Sequence, residues 1–475
     1  GWAGVVRGEG EKIFRKRRAA YAEGNKDLGG VPGITWRAAD GRILENAAEE
    51  PLRLDEAPFL YEDTDQFANK IIYYESSRGC PFSCSYCLSS VDKNVRFRSL
   101  PTVLKELRHF LDQRVAQVKF VDRTFNCRKS HCLEIWRYLA EHDNGVTNFH
   151  FEIAADLIGE EELEVMQGMR PGLIQLEIGV QSTNPETLRE IRRGASFEKI
   201  REVTGRIRSF GNIHQHLDLI AGLPFEDYRS FQKSFNDVYE LRPDALQLGF
   251  LKVLRGSYMY EKAADYGLLY HDKAPYEVLC TKWLSYGQLL ELKDVEKVLE
   301  IYYNSGQFRN TMEYLRRFFP DAFSMYHALA KYCRENSLLE TGQTRQKRYE
   351  ILADFAKVLN LGERLAYRSV LVYDLYLREN AKNRPSFGWD QAEQRERIRA
   401  FFRQEEEKHA FLQGREGLSA KQMMYDAHVE IFPVDMEKLL SSGEAEEKEC
   451  AVLFDYRVKN PLHKEAETWV VELPQ

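Results

Sequence analysis

The sequence has no apolar run approaching the roughly 20 residues that a membrane-spanning helix needs, and it lacks the basic-then-apolar start of a secretory signal. A cytoplasmic protein is expected, with no membrane partner. Basic patches are equally scarce. The formal net charge is −7, the pI is near 6.0, and Lys and Arg are interleaved with Asp and Glu, so the electrostatic footprint of a nucleic-acid binder is missing. Cysteine is sparse too: eight in 475 residues, three of them clustered and the rest scattered. That pattern does not make a disulfide framework and fits a reducing, oxygen-poor compartment. What remains is ordinary globular material, 43% hydrophobic and 30% charged, long enough for two or three domains and a sizeable core.

The stretch that stands out is Arg78-Gly79-Cys80-Pro81-Phe82-Ser83-Cys84-Ser85-Tyr86-Cys87, directly after the strand-like run Ile71-Ile72-Tyr73-Tyr74. Thiolates are soft ligands that select zinc or iron-sulfur clusters, and structural zinc wants four of them. Three cysteines on a four-iron cubane leave one iron open to a substrate or cofactor. A zinc turn borrowing a distant fourth ligand, or three ordinary buried thiols, are the other readings of the spacing.

From residue 71 to about 255, strand-like runs alternate with amphipathic helical ones, the pattern of a parallel βα array. Strands are predicted at 71–77, 117–122, 148–154, 173–181, 214–222 and 244–251, an open, partial version of the eight-stranded barrel. Successive residues on a strand point to opposite faces. Ile174, Leu176, Ile178 and Val180 therefore share one face, and Gln175, Glu177, Gly179 and Gln181 the other. Likewise Phe149, Phe151 and Ile153 oppose His150 and Glu152, while Leu217, Leu219 and Ala221 oppose His214, His216 and Asp218. With helices covering the outside, the polar faces line the lumen. Unpartnered burial there would cost about 1 to 3 kcal/mol per group, so water or a polar ligand belongs inside.

The C-x3-C-x2-C spacing with an aromatic before the last cysteine resembles the cluster loop of the radical S-adenosylmethionine (radical SAM) superfamily. The resemblance implies that Cys80, Cys84 and Cys87 hold a [4Fe-4S] cluster whose open iron is chelated by the amino and carboxylate groups of SAM, with Phe82 and Tyr86 beside the cofactors. Gly179-Val180-Gln181-Ser182, with Arg193 twelve residues after the Gln, is similar to the SAM-contacting segment of the oxygen-independent coproporphyrinogen oxidase branch. It implies cofactor contacts for Gln181 and Arg193. Glu152 and Asp218 match acids of the third and fifth strands, Gly222 and Leu223 would flank the adenine, and Asp122 ends the second strand where the SAM amino group is received. Read from the residues alone, Glu152 and Asp218 could equally be structural acids paired with His150, His214 or His216. His214 and His216 read as lumen histidines, either of them a possible proton donor. Cys127 and Cys132 read as helix-packing thiols.

The opening residues, a short strand, a Gly/Glu turn and a helix, resemble the last strand-turn-helix of the cobalamin-binding domain found in many radical SAM proteins. Residues 1–30 are expected to be a remnant of that domain, whose body would lie upstream, followed by a linker at 31–68 and the barrel at 69–256. Residues 257–475 form a mainly helical domain ending in two strands, near 428–433 and 451–458, joined by an acidic helix at 436–448. This tail resembles an uncharacterised C-terminal domain of bacterial cobalamin-type radical SAM proteins. Together these likenesses imply an α/β enzyme that reductively cleaves SAM to a 5′-deoxyadenosyl radical. Methyl transfer using cobalamin from the upstream domain is the leading outcome, ahead of ring formation or oxidation. The alternatives are a cobalamin-independent oxidase of the coproporphyrinogen oxidase type and a non-catalytic metal-binding scaffold. A small-molecule or peptide substrate and an electron donor such as flavodoxin or ferredoxin are the implied partners.

Overall fold

A computed structural model of the chain describes residues 4–24, 27–68 and 70–474. Residues 1–3, 25 and 26 of the expected cobalamin-domain remnant, Asn69 at the expected barrel start, and Gln475 lie outside the described residues. The chain divides into two compact units, one comprising residues 1–82 and 92–152, the other residues 83–91 and 153–475.

The first unit opens with β1 (Gly4–Val6), α1 (Gly10–Ala22), β2 (Ile34–Arg37) and β3 (Ile43–Glu45). The three strands form a small antiparallel sheet over a core of Ile13, Leu28, Val31, Ile34 and Trp36. Three parallel strands follow, β4 (Ile72–Tyr74), β5 (Gln117–Phe120) and β6 (Asn148–Ile153), with α2 (Leu100–Asp112) between the first pair and α3 (Lys129–Glu141) between the second. Val118, Phe120, Phe149 and Phe151 are fully buried. The apolar stripes of the helices, Val103, Leu107 and Phe110 on α2 and Ile135, Trp136 and Leu139 on α3, are buried as well. Each such side chain contributes about 1.5–3 kcal/mol on leaving water, which fixes the face each strand turns inward.

The second unit carries α4 (Glu160–Gln167), β7 (Ile174–Gln181), α5 (Phe197–Phe210), β8 (His214–Ala221), α6 (Tyr228–Tyr239) and β9 (Ala245–Phe250). Its three strands are parallel to one another. The fold is therefore the α/β parallel array that the alternation predicts, with strand ends within two residues of those expected except at β4, which stops at Tyr74 where the sequence predicts a strand to 77. Ile174, Leu176, Ile178 and Val180 are buried while Gln175, Glu177 and Gly179 are half-buried. One irregularity matters. Asp218 aligns with Gly179 but Leu219 aligns with Gln181, so Val180 is an extra residue in β7. Gln181 takes φ +73°, a left-handed conformation rare for a residue with a side chain.

Beyond β9 the unit is helical: α7 (Tyr258–Glu261), α8 (Tyr286–Leu299), α9 (Arg309–Arg316), α10 (Ala322–Glu335), α11 (Arg345–Val358), α12 (Leu365–Arg378) and α13 (Arg395–Lys408). α12 is buried nearly all round, which marks it as the centre of its helical neighbourhood. The end is a three-stranded antiparallel sheet of β10 (Ala427–Val434), β11 (Glu447–Lys459) and β12 (Ala466–Val471), with α14 (Met436–Ser442) between the first two strands. The sequence reading had two strands here and a longer helix. α14 stops at Gly443, whose φ of +71° caps it. The third strand pairs along β11 from Val471 opposite Ala451 to Glu467 opposite Asp455.

Candidate functional site

The cysteine loop is shaped by its first residues. Gly79 has φ +101°, and a Cβ on it would come within 2.8 Å of the Asn94 carbonyl oxygen, so only glycine fits. Arg78, just before it, is held by Glu75 at 2.7 Å and Glu11 at 2.8 Å. The Cys80 amide donates to Asp92 O at 3.1 Å. Its thiol lies 3.7 Å from Thr124 Oγ1. Among the described residues, no cysteine is in a disulfide.

Asp122 stands just past the end of β5. It is fully buried, and its carboxylate accepts from Ser76 N at 2.9 Å, Ser76 Oγ at 2.6 Å and Ser77 Oγ at 2.6 Å. Burial raises its pKa to about 6 against the pull of these serines. A carboxylate so enclosed ties the end of β4 to the end of β5, its oxygens engaged by the two serines. Glu152 lies half-buried on the polar face of β6. Cys127 sits in a short turn rather than on a helix, its pKa pushed to about 11 by burial and, next, by the charge of Cys80. Cys132 packs inside α3 as expected.

In the second unit the rest of the loop is pinned at Ser85. Its amide donates to Ile191 O at 3.0 Å and its carbonyl accepts from the Met259 amide at 2.9 Å. Arg192 stacks on the Tyr258 ring, 3.9 Å from its centroid. Arg193 is thereby turned toward the loop: Nη1 lies 3.9 Å from Cys84 Sγ, and Nη2 donates to Gly179 O. Burial raises the pKa of Cys84 and of the half-buried Tyr86, with the Arg193 charge opposing both.

The bulge in β7 explains the position of Gln181. It lays the Gln181 amide across Gly179, where a Cβ would collide with Nε2 and stand 3.2 Å from Arg193 Nη2. Gln181 Oε1 and Arg193 Nε are buried and have no hydrogen-bond partner among the described residues. Such orphaned atoms cost about 1 to 3 kcal/mol each and are what a bound polar ligand would satisfy. Asp218, aligned with Gly179 on the neighbouring strand, lies 3.4 Å from His216 Nε2, the pairing that the residues alone allowed. Gly222 turns the chain at the end of β8 with φ +92°, its Cα covered by Val278. Leu223 is fully buried.

One positioning group escaped the sequence reading. Glu226 is fully buried, and its Oε1 accepts from Ser182 at 2.6 Å and Ser234 at 2.7 Å. Asn184 donates to Phe225 O and to Ser230 Oγ, each at 2.9 Å, while its own oxygen caps the short helix at 185–190. This lattice holds the segment from Ser182 to Arg193, and with it both Gln181 and Arg193. Burial lifts the Glu226 pKa to about 7, with the two serine hydroxyls opposing. The available signal was an acid two residues after the Gly222-Leu223-Pro224 turn.

The donor set fits the groups the resemblance implies. Three free thiols with Arg193 beside one of them suit an anionic iron-sulfur cluster, and the orphaned Gln181 oxygen suits a hydroxyl or amino donor of SAM. Among the described residues, no three His, Cys, Asp or Glu side chains gather around a single ion position. Cysteines of a cubane each take a different iron, so they need not converge on one point.

Comparison with known proteins agrees. Residues 74–238 match the radical SAM superfamily, and residues 264–454 match a protein family of unknown function designated DUF4080. The chain contains a radical SAM domain followed by a DUF4080 domain. It is 25% identical over 278 residues to an uncharacterised methyltransferase of Pyrococcus horikoshii, covering 56% of this chain and 59% of the relative. It is also 25% identical over 285 residues to the cobalamin-dependent radical SAM methyltransferase TokK of Streptomyces tokunonensis, covering 56% and 41%. The chain thus spans about half the length of the curated relatives it matches. A solved structure of the radical SAM methyltransferase TsrM from Kitasatospora setae aligns with a TM-score of 0.49 at 18% identity, over 62% of this chain and 66% of that one.

Proposed function

We propose that the chain binds a [4Fe-4S] cluster through Cys80, Cys84 and Cys87 and reductively cleaves SAM as the catalytic core of a cobalamin-dependent methyltransferase. The observation that carries the reading is the Arg193 guanidinium spanning Cys84 Sγ and the Gly179 carbonyl, beside the orphaned Gln181 oxygen. When bound, the cluster and SAM supply the electron, the open iron and the radical. The protein's own part is orientation. Arg193 offsets the negative charge gathered by the thiolates, and Gln181 Oε1 accepts a hydrogen bond from SAM. The polar face of β8 carries His216 and Asp218, which lie 3.4 Å apart. Glu152 stands on the polar face of β6, and the Gly222-Leu223 backbone flanks the adenine.

Cobalamin rests on the likeness to relatives such as the cobalamin-dependent methyltransferase TokK, and no residue of this chain is assigned to it. Among the described residues, no helix is long and apolar enough to cross a membrane. We place the protein in the cytoplasm, with a flavodoxin- or ferredoxin-type electron donor and a small-molecule or peptide substrate.

The test uses the protein expressed from its whole reading frame, reconstituted anaerobically with iron, sulfide and hydroxocobalamin. A corrin absorbance that stays with the protein through gel filtration, and isotopic label that leaves the SAM methyl group for an acceptor, are the expected results. Loss of the corrin on filtration would contradict the cobalamin assignment. Retained corrin with deoxyadenosine but no label transfer would favour ring formation or oxidation.

A further inference from the structure

A cavity of about 590 Å³ lies at the amino ends of β8 and β9, walled on its other side by the helical region and by the loops at Leu440 and His463. Gln181 and Gly222 stand at the opposite, carboxyl ends of the strands, so this space has no part in the proposed SAM chemistry. Its walls set four guanidinium groups, Arg208, Arg242, Arg309 and Arg317, against two carboxylates, Asp244 and Glu313. Four against two leaves two positive charges in excess, on a chain whose formal charge is −7.

The two carboxylates are already committed. Asp244 accepts from the Gln215 amide at 2.8 Å, and Glu313 pairs with Arg242 at 3.5 Å. Arg309 donates to Nδ1 of His463 at 2.8 Å. Burial and the Arg309 charge depress the His463 pKa, in keeping with its use as an acceptor. The first amides of α9 are taken as well, since Asn310 N and Thr311 N donate to Asp374 at 3.3 and 2.8 Å. Arg208 and Arg317 differ: both are exposed, and among the described residues neither has a carboxylate within salt-bridge reach. Arg317 lies over Gly443, where a Cβ would occupy the place of its guanidinium. Tyr239 and Tyr303 add ring faces, their centroids 5.3 Å apart.

We propose that this cavity is a second ligand site, which takes a phosphate-bearing small molecule of nucleotide size with its phosphates on Arg208 and Arg317 and its planar body against Tyr239 and Tyr303. The volume falls in the range of small-molecule sites, and planar guanidinium forks match phosphate oxygens in pairs.

The probe is ADP, titrated calorimetrically into the purified full chain. Saturable binding is expected, weakened at least about tenfold in Arg208→Ala/Arg317→Ala, falling with added salt, and unchanged in Arg193→Gln. Both arginines are at the surface, so the core of the double variant stays intact; the single Arg208→Ala change repeats the test with less disturbance and is expected to weaken binding in the same sense. Absence of saturable ADP binding, or binding that survives the double substitution, would overturn the proposal. So would binding that Arg193→Gln abolishes, since that would place ADP in the SAM region.

Discussion

Replacing Glu226 by Gln isolates the group that holds the Gln181–Arg193 segment. Its carboxyl titrates at about 7 in the folded chain against an ordinary 4.5. The folded state therefore binds this proton more tightly than the unfolded one. The sign follows: the stability linked to that proton is fully present below pH 4.5 and is lost as pH rises through about 7. A difference of roughly 2.5 pH units corresponds to about 3 kcal/mol. Glutamine keeps an oxygen for Ser182 and Ser234 but cannot ionise. Its cost at pH 5 is that of a perturbed buried hydrogen-bond pair, about 1 kcal/mol. Between pH 5 and pH 8 the wild type is then expected to lose up to about 3 kcal/mol more than Glu226→Gln. Asp122 and Asp374, also raised to about 6 by burial, titrate in both proteins and cancel in the comparison. Urea-unfolding midpoints of the two proteins at each pH give the difference. Parallel pH curves would refute the reasoning and show that Glu226 is already ionised in the folded chain.

Gly179→Ala places a methyl group where the Gln181 amide lies. Deoxyadenosine formation is expected to fall about 100-fold while the iron content is retained, because displacement of about 1 Å in a positioning group has effects of that size; unchanged turnover would separate Gln181 from the chemistry. In the C-terminal sheet, Asp455→Ala strips the buried Arg415 of its carboxylate partner. The expected loss is about 3–5 kcal/mol in chemical denaturation, and a loss under 1 kcal/mol would mean that the guanidinium is hydrated in the folded protein.

Much of this arrangement is legible in the sequence because it is local. Two-residue alternation of Ile and Val against Gln and Glu locates β7, and its polar face, without any knowledge of its neighbours. The failures are long-range. The Ser76 and Ser77 hydroxyls reach Asp122 from residues more than forty positions away, so its burial could not be read from its own neighbourhood. The extra residue at Val180 exists only relative to β8, and with it comes the left-handed Gln181. The strand at Ala466–Val471 is short, half-exposed and close to the end, and it is fixed by its pairing with β11. The burial of Glu226 has no local sequence signal, because its partners are Ser182 and Ser234 of α6.

The most direct measurement is anaerobic. The chain is reconstituted with iron and sulfide, reduced with dithionite and supplied with SAM, and 5′-deoxyadenosine is quantified beside a Cys84→Ala control. Catalytic formation of deoxyadenosine in the wild type, lost in the control, is the predicted result. Bound zinc with no cleavage of SAM would contradict the assignment of Cys80, Cys84 and Cys87 to an iron-sulfur cluster and, with it, the account of Gln181 and Arg193 as SAM-binding groups.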